Sequence, residues 1–275
     1  MTTPIVRPTR PLGPRLFAAA CLGIVLALVV WAWRGLEIKW SRLLDAPVDI
    51  WRLGKAMFSD IPWNESGEAL GALWDSIAMA WMGTVLAAVV AVPMSFLAAE
   101  NLAARPVSIL TRIVFNVLRA VPEIVLAIVL IPVYGLTQST AVLALAIGSI
   151  GTLGKLCSEV LEGIHSGPIE AANAVGANRL QRLRWGVIPQ SLPEIASFVM
   201  YRFEINIRAA SVVGILGLGG IGTTLVQSLR FRDYSTAGLA LIVTVAGTML
   251  IDFLSGIIRR RLVVGPGSRR VRVGK

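Results

Sequence analysis

Charge is scarce in this sequence. Asp, Glu, Lys and Arg supply 15% of its 275 residues, against roughly a quarter in ordinary soluble domains, and this excludes a conventional water-soluble globule. Histidine is nearly absent, with His165 alone, so neither a histidine-rich metal site nor a Ser-His-Asp triad with a histidine to spare can be built. There are only two cysteines, Cys21 and Cys157. Both fall in or beside apolar runs, which excludes a disulfide framework and reads as packing. A nucleotide-binding loop is missing too. The stretch GSIGTLGKL, Gly148 to Leu156, resembles one, but the pattern needs glycine at 149 and Ser or Thr at 156, and the chain has Ser149 and Leu156.

Apolar residues fill the space that charge leaves, at 55% of the chain. Uncharged runs cover Leu16 to Trp33, Ser76 to Ala99, Ile124 to Gly154, Ala209 to Leu229 and Tyr234 to Ile251. A helix needs about 20 mostly apolar residues to cross a bilayer. The run from Ile124 is too long for one helix and is interrupted by Pro132, Gly135 and the polar turn Thr137 to Thr140. Six spans follow, near residues 16–35, 72–98, 108–136, 140–160, 194–216 and 235–258, and the fold class is an all-α polytopic membrane protein.

The sequence is net basic, at +10, but the placement of the basic residues decides what they do. Arg259, Arg260, Arg261, Arg269, Arg270, Arg272 and Lys275 follow the last apolar run with no acid after Asp252, the positive-inside signature of a cytoplasmic end. This reading leaves no role for nucleic acid. Six spans bring Arg7, Arg10 and Arg15 to the same side. The stretch Arg34 to Asp75, with five basic and seven acidic residues, then lies outside. The first apolar run is open to a second reading as a signal peptide, but its length and the terminal Trp31, Trp33 and Arg34 favour a retained helix with an interfacial anchor. The expected organisation is a cytoplasmic tail (1–15), a first span (16–35), an external loop (36–71), a five-helix core (72–258) and a basic cytoplasmic tail (259–275).

In the external loop Trp40, Leu43, Leu44, Ile50, Trp51, Leu53, Met57 and Phe58 alternate with charges at roughly helical spacing. This suits an elbow lying on the membrane surface or a short helix packed on its own bundle. The one long cytoplasmic connection runs from Ser158 to Pro193. Within it Ser166-Gly167-Pro168 starts a helix, Glu170 sits in the first turn where the helix dipole favours an acid, and Gly176 stops it. Asn178 caps a second short helix, and Pro189 and Pro193 are expected to end it. The result is a helix-turn-helix finger with a small-residue face of Ala171, Ala172, Ala174 and Ala177.

The spacing Glu170-Ala171-Ala172, then Gly176, then Ile188, Leu192 and Pro193 resembles the EAA loop of binding-protein-dependent ABC permeases. The resemblance implies that Glu170, Ala171, Ala172, Gly176, Ala177 and Asn178 form a coupling helix seated on a separate cytoplasmic ATPase. It also implies two ATPase subunits holding ATP and Mg, no cofactor in this chain, an external substrate-binding protein, and a second copy of the chain or a sister permease in a bacterial inner membrane. From Gly151 to about Arg261, the segments GKLCSEVLEGI, YRFEINIRAASVVGILGLGGIG and IIRRR resemble the phosphonate-uptake permeases, which implies phosphonate, phosphite or phosphate as cargo. Ala209-Ala210 departs from the acid and small polar residue expected there, and this leaves the particular oxyanion open.

Charges inside spans mark either a pathway or an ion pair. Glu204 and Arg208 are four apart, as are Arg119 and Glu123, so each couple shares a helix face and can pair. A guanidinium that attracts a passing oxyanion is the alternative use of Arg119 or Arg208, although a deep anion trap would slow release. Gly217, Gly219 and Gly222 fit a dinucleotide fingerprint but lack the flanking strand that it needs. Together with Gly220 they are expected to form a close-packed turn near an external gate. Pro93, Pro122 and Pro132 are read as bends along a conduction path or as plain kinks.

Two other classes fit less well. A secondary transporter or channel is expected to show an inverted repeat with matched broken helices, and none is visible; it also leaves the finger unexplained. A membrane-embedded enzyme needs clustered His, Asp or Cys in the spans, and the runs lack them.

Overall fold

The computed structural model describes residues 12–35 and 40–264. The basic residues Arg7 and Arg10 and the tail from Arg269 to Lys275 lie outside the described residues. Every regular element described is helical. The chain divides into two units, residues 1–53 and 54–275. The first holds α1 (Leu12–Gly35) and most of α2 (Trp40–Phe58).

The second unit is built from α3 (Ser66–Ala98), α4 (Arg105–Ala120), α5 (Glu123–Tyr134), α6 (Gln138–Glu162), α7 (Gly167–Ala174), α8 (Arg179–Arg182), α9 (Ile188–Gly214), α10 (Ile221–Arg230) and α11 (Tyr234–Val264). Among the described residues, α1, α3, α6 and α11 are each long and apolar enough to cross a membrane, and α4 with α5 passes as a pair bent by 85°. The expected third span is therefore a broken one. Val121 and Pro122 are extended, at ψ 118° and 144°, as the residue before a proline prefers. The expected fifth span falls in α9, which carries Glu194, Arg202, Glu204 and Arg208. That charge keeps α9 from standing alone in lipid, and it packs against α3, α6 and α11.

Close backbone approach organises this unit, because lipid supplies no hydrophobic drive between helices and packing must replace it. Ser76, Ala80, Gly83, Ala87, Ala91, Ser95 and Ala98 recur along one buried face of α3. A Cβ on Gly83 would come within 2.9 Å of the Leu145 Cβ on α6. Gly148, Gly151 and Gly154 continue the approach on α6. A Cβ on Gly151 would lie 2.5 Å from the Phe115 carbonyl oxygen on α4, and one on Gly154 would enter the buried Phe115 ring. The near-miss of a nucleotide loop is thus a helix-packing surface.

Gly154→Ala is expected to destabilise the protein by about 1–3 kcal/mol through overpacking, read as a lower melting temperature in detergent. Adding Phe115→Leu to Gly154→Ala should recover part of that loss. If Gly154→Ala alone melts like the wild type, α4 is not seated as closely on α6 as described.

Candidate functional site

Two sets of residues carry chemistry: the finger between α6 and α9, and a polar cluster in the helix core. The finger follows its sequence signals closely at its tip. Helix α7 starts at Gly167 with Pro168 in its first turn, although the Ser166 side chain makes no capping bond. It ends in a paired C-terminal motif, with the Gly176 N–H donating to the Asn173 carbonyl at 3.0 Å and the Ala177 N–H to the Ala172 carbonyl at 3.0 Å. That closure needs a left-handed residue, and Gly176 has φ +75°. Asn178 then opens α8 through a capping box: its side chain accepts from the Gln181 N–H at 2.9 Å, and the Gln181 side chain accepts from the Asn178 N–H at 2.8 Å.

The base of the finger differs from the expectation. Pro189 and Pro193 do not end the second helix. After α8 a π-helical stretch, Leu183–Val187, leads into α9, where Pro189 sits in the first turn and Pro193 is accommodated inside. The physical reason is that a proline in the first turn removes only an N–H that has no intrahelical partner. The Gln190 amide ties the finger's start to its end, accepting from the His165 N–H at 3.1 Å and donating to the His165 and Gly186 carbonyls. Gly186 lies buried under Ile169. No described residue of α7 or α8 is buried. Glu170 is exposed, and Ala171, Ala172, Gly176, Ala177, Pro168, Val175, Gln181 and Trp185 line an open groove. Val175 is 83% exposed and Leu180 76%, so the tip presents apolar side chains that the chain itself leaves uncovered.

The core cluster corrects both expected ion pairs. Arg119 and Glu123 do not pair, because the break at Val121–Pro122 takes them off a common helix. Glu123 instead binds Arg202 of α9, and Arg119 is exposed with no carboxylate partner among the described residues. Glu204 and Arg208 also do not pair. Arg208 reaches Asp252 of α11 at 3.0 Å, while Glu204 is buried with its Oε1 unbonded among the described residues. Spacing of four places two side chains on one face, but a partner on a neighbouring helix can lie nearer.

Arg202, Ser149, Asn206 and Thr84 were not singled out by sequence reasoning, yet they form the most buried polar network of the unit. The Arg202 Nε donates to the Ser149 Oγ at 2.8 Å, and one terminal nitrogen binds the Glu123 carboxylate. The Asn206 Nδ2 reaches the Ser149 Oγ at 3.0 Å and the Thr84 Oγ1 at 2.8 Å. Thr84 and Ser149 return their own hydroxyls to the carbonyls of Ala80 and Leu145. The network thus joins α3, α5, α6 and α9. The available signal was an uncompensated arginine inside a span, with an asparagine one turn further along the same face.

A second ion cluster lies between α4 and α6. Arg112 binds Glu162 and also Glu100 at 3.0 Å, and it borders a cavity of about 210 Å³ shared with Asn116, Lys155 and Glu159. Glu162 is therefore tied within the chain. Between α9 and α10, Gly217, Gly219 and Gly220 have φ of +85°, +102° and +76°, conformations open chiefly to glycine. The Ile221 N–H beyond them donates to the Ser76 Oγ at 3.0 Å, and Gly222 packs on the Ser211 carbonyl. The turn is close-packed, as its glycines suggest.

Replacing Asn178 with Ala should cost about 1 kcal/mol of local helix stability, and Gly176→Ala a similar amount because of its positive φ. Both effects should appear as faster amide exchange from Ala171 to Arg182, with the melting of α3, α6 and α9 unchanged. Equal protection in variant and wild type would contradict the capped geometry.

Residues 91–264 match the family model described as binding-protein-dependent transport system inner membrane component. The chain is 36% identical over 243 residues to the phosphite transport system permease protein PtxC of Stutzerimonas stutzeri, covering 88% of this chain and 87% of that one. It is 38% identical over 189 residues to the phosphate-import permease protein PhnE of Mycolicibacterium smegmatis, covering 68% of this chain and 36% of the relative. In fold it resembles the inward-facing MetNI methionine ABC transporter, with a TM-score of 0.62 and 22% identity over 69% of this chain and 94% of that one. With the matched region running from the last turns of α3 to the end of α11 and containing the finger together with Glu123, Ser149, Arg202 and Asn206 of the polar network, the chain belongs to the binding-protein-dependent transport system inner membrane components, the non-enzymatic permease subunits of ABC importers.

Proposed function

We propose that this permease admits phosphite, phosphate or a phosphonate by alternating access, driven by ATP hydrolysed on separate cytoplasmic subunits. The observation that carries the substrate reading is the similarity across almost the whole chain to a relative named as a phosphite permease. The second relative, named for phosphate import, supports the same chemical class. Phosphorus oxyanions share tetrahedral shape and negative charge, which suits the arginines of α4 and α9.

In this reading the finger docks on the ATPase. Its support is the uncovered apolar tip, with Val175 and Leu180 in water, beside a groove floored by Ala171, Ala172 and Gly176. Small side chains let a partner approach the backbone, and the capped ends keep the tip rigid enough to transmit motion. One finger per chain calls for two chains and two ATPases, so the permease works as a homodimer or with a sister subunit, and an external binding protein delivers the cargo. The finger and both termini then face the cytoplasm, α2 lies on the external surface, and the turn from Gly217 to Gly222 lies toward the outside as part of a gate. Arg119, exposed and without a carboxylate partner among the described residues, remains available along the path, whereas Arg208 is held by Asp252.

Val175→Asp places a charge in the apolar tip and is expected to weaken ATPase co-purification by ten-fold or more, as loss of an interface hot spot does, while the permease stays in the membrane. ATP-dependent uptake of phosphite, phosphate or methylphosphonate should fall in parallel. Retained assembly and uptake would overturn the docking assignment. Import of an amino acid or sugar in preference to all three oxyanions would overturn the substrate assignment and leave the permease standing.

A further inference from the structure

Arg202 is costly where it stands. Its side chain is 7% exposed, in the middle of a 27-residue helix, and a guanidinium at membrane depth is by default functional. Its partner is differently placed. Glu123 is the first residue of α5, directly after the break, and its side chain is 28% exposed. The carboxylate therefore lies over the buried cation on the side open to the surroundings.

We infer that Arg202 is the group of the translocation path that recognises the anionic substrate, and that Glu123 is its internal counterion, holding the place that the substrate takes in passage. The inference rests on the oxyanion-permease reading above. Three observations carry it. The first is that the Arg202–Glu123 pair is not needed to join α3, α6 and α9. The neutral bonds among Thr84, Ser149 and Asn206 already tie α3, α6 and α9, and buried ion pairs are often replaceable by apolar groups without loss of stability. The second is the geometry of the fork. The Arg202 Nε is held by Ser149 and one terminal nitrogen by Glu123, while the other terminal nitrogen has no hydrogen-bond partner among the described residues. A carboxylate and a phosphorus oxyanion accept the same planar array of N–H bonds, so the exchange replaces like with like.

The third observation is the mounting of Glu123. The extended pair Val121–Pro122 lets α5 point 85° away from α4, and Gly148 of α6 leaves room for the Glu123 side chain to cross toward Arg202. A Cβ at position 148 would lie 2.7 Å from the Glu123 Cγ. A change of angle at the break that carries α5 away from α9 would withdraw the carboxylate from Arg202. Competition from Glu123 also removes the objection that a buried arginine would trap its anion. Passage requires binding strong enough to enter and weak enough to leave, and an internal competitor weakens the apparent affinity by the fraction of time that Arg202 is unmasked.

The test titrates inorganic phosphate onto the purified full-length permease, assembled with its ATPase in nanodiscs, and reads the shift in melting temperature. If Glu123 masks Arg202 about nine-tenths of the time, Glu123→Gln should bind phosphate about ten-fold more tightly than the wild type and import more slowly. Gly148→Ala removes no charge but pushes Glu123 aside, and should tighten binding in the same direction by less. This second variant keeps the test valid if Glu123→Gln fails to fold. Arg202→Gln, alone or with Glu123→Gln, should abolish the phosphate-dependent shift. Wild-type affinity in both Glu123→Gln and Gly148→Ala, or a shift that survives in Arg202→Gln, would overturn the inference. The titration involves no transport, so a wild type that imports no phosphorus oxyanion would sink the substrate reading separately.

Discussion

The closeness of backbone on backbone along α6 is the constraint on which the rest of the second unit depends. Gly151 lets α6 lie against the backbone of α4, Gly148 and Gly154 leave room for the Glu123 and Phe115 side chains, and the small residues of α3 allow a close approach on another side. In lipid this approach is the main source of helix association, since dispersion and short hydrogen bonds replace the hydrophobic effect. It also sets the reach of every polar group in the core. Ser149 is adjacent to Gly148, and only a helix seated this closely lets its short hydroxyl meet both Arg202 and Asn206. Packing and polar network are thus two results of one choice of side-chain size.

The break between α4 and α5 turns this rigid frame into something that can change. Ser149, Asn206 and Thr84 sit inside long helices, and their bonds move only if whole helices move. Glu123 instead begins a short helix after two extended residues. One rigid cation and one hinged anion make a pair with two available arrangements, which is what a transport cycle requires of its path. The finger shows a similar division. Its tip is fixed by local bonds, the capping box at Asn178 and the glycine closure at Gly176, while its base joins α9 through a π-helical stretch. Motion imposed on the tip would therefore reach the helix that carries Arg202 and Asn206 along continuous backbone.

Charge placement in α9 explains why that helix differs from the other spans. Arg202 and Asn206 face the bundle, while Glu204 is buried on the side of Arg208, which reaches Asp252 of α11. A helix with this much polarity is stable in a membrane only when its neighbours satisfy it. The small residues of α3 and α6 bring those neighbours close enough to do so.

Local features were legible in the sequence because short-range physics governs them. The apolar runs, the all-helical class, the start of α7, the glycine stop at Gly176 and the Asn178 cap each depend on residues within a turn or two. The partners of Arg119, Glu123, Glu204 and Arg208 were not legible. Spacing of four predicts a pair on an isolated helix, but in the folded chain a proline break separates one couple and a neighbouring helix captures a member of the other. Arg202 escaped notice for the same reason, since its partners lie 53 and 79 residues away. Sequence alone determined that this chain is a helical membrane permease with a capped finger. Only the tertiary structure decided which charges meet, because in a low-dielectric core the nearest opposite group prevails, and nearness there is set by how closely glycines let helices approach.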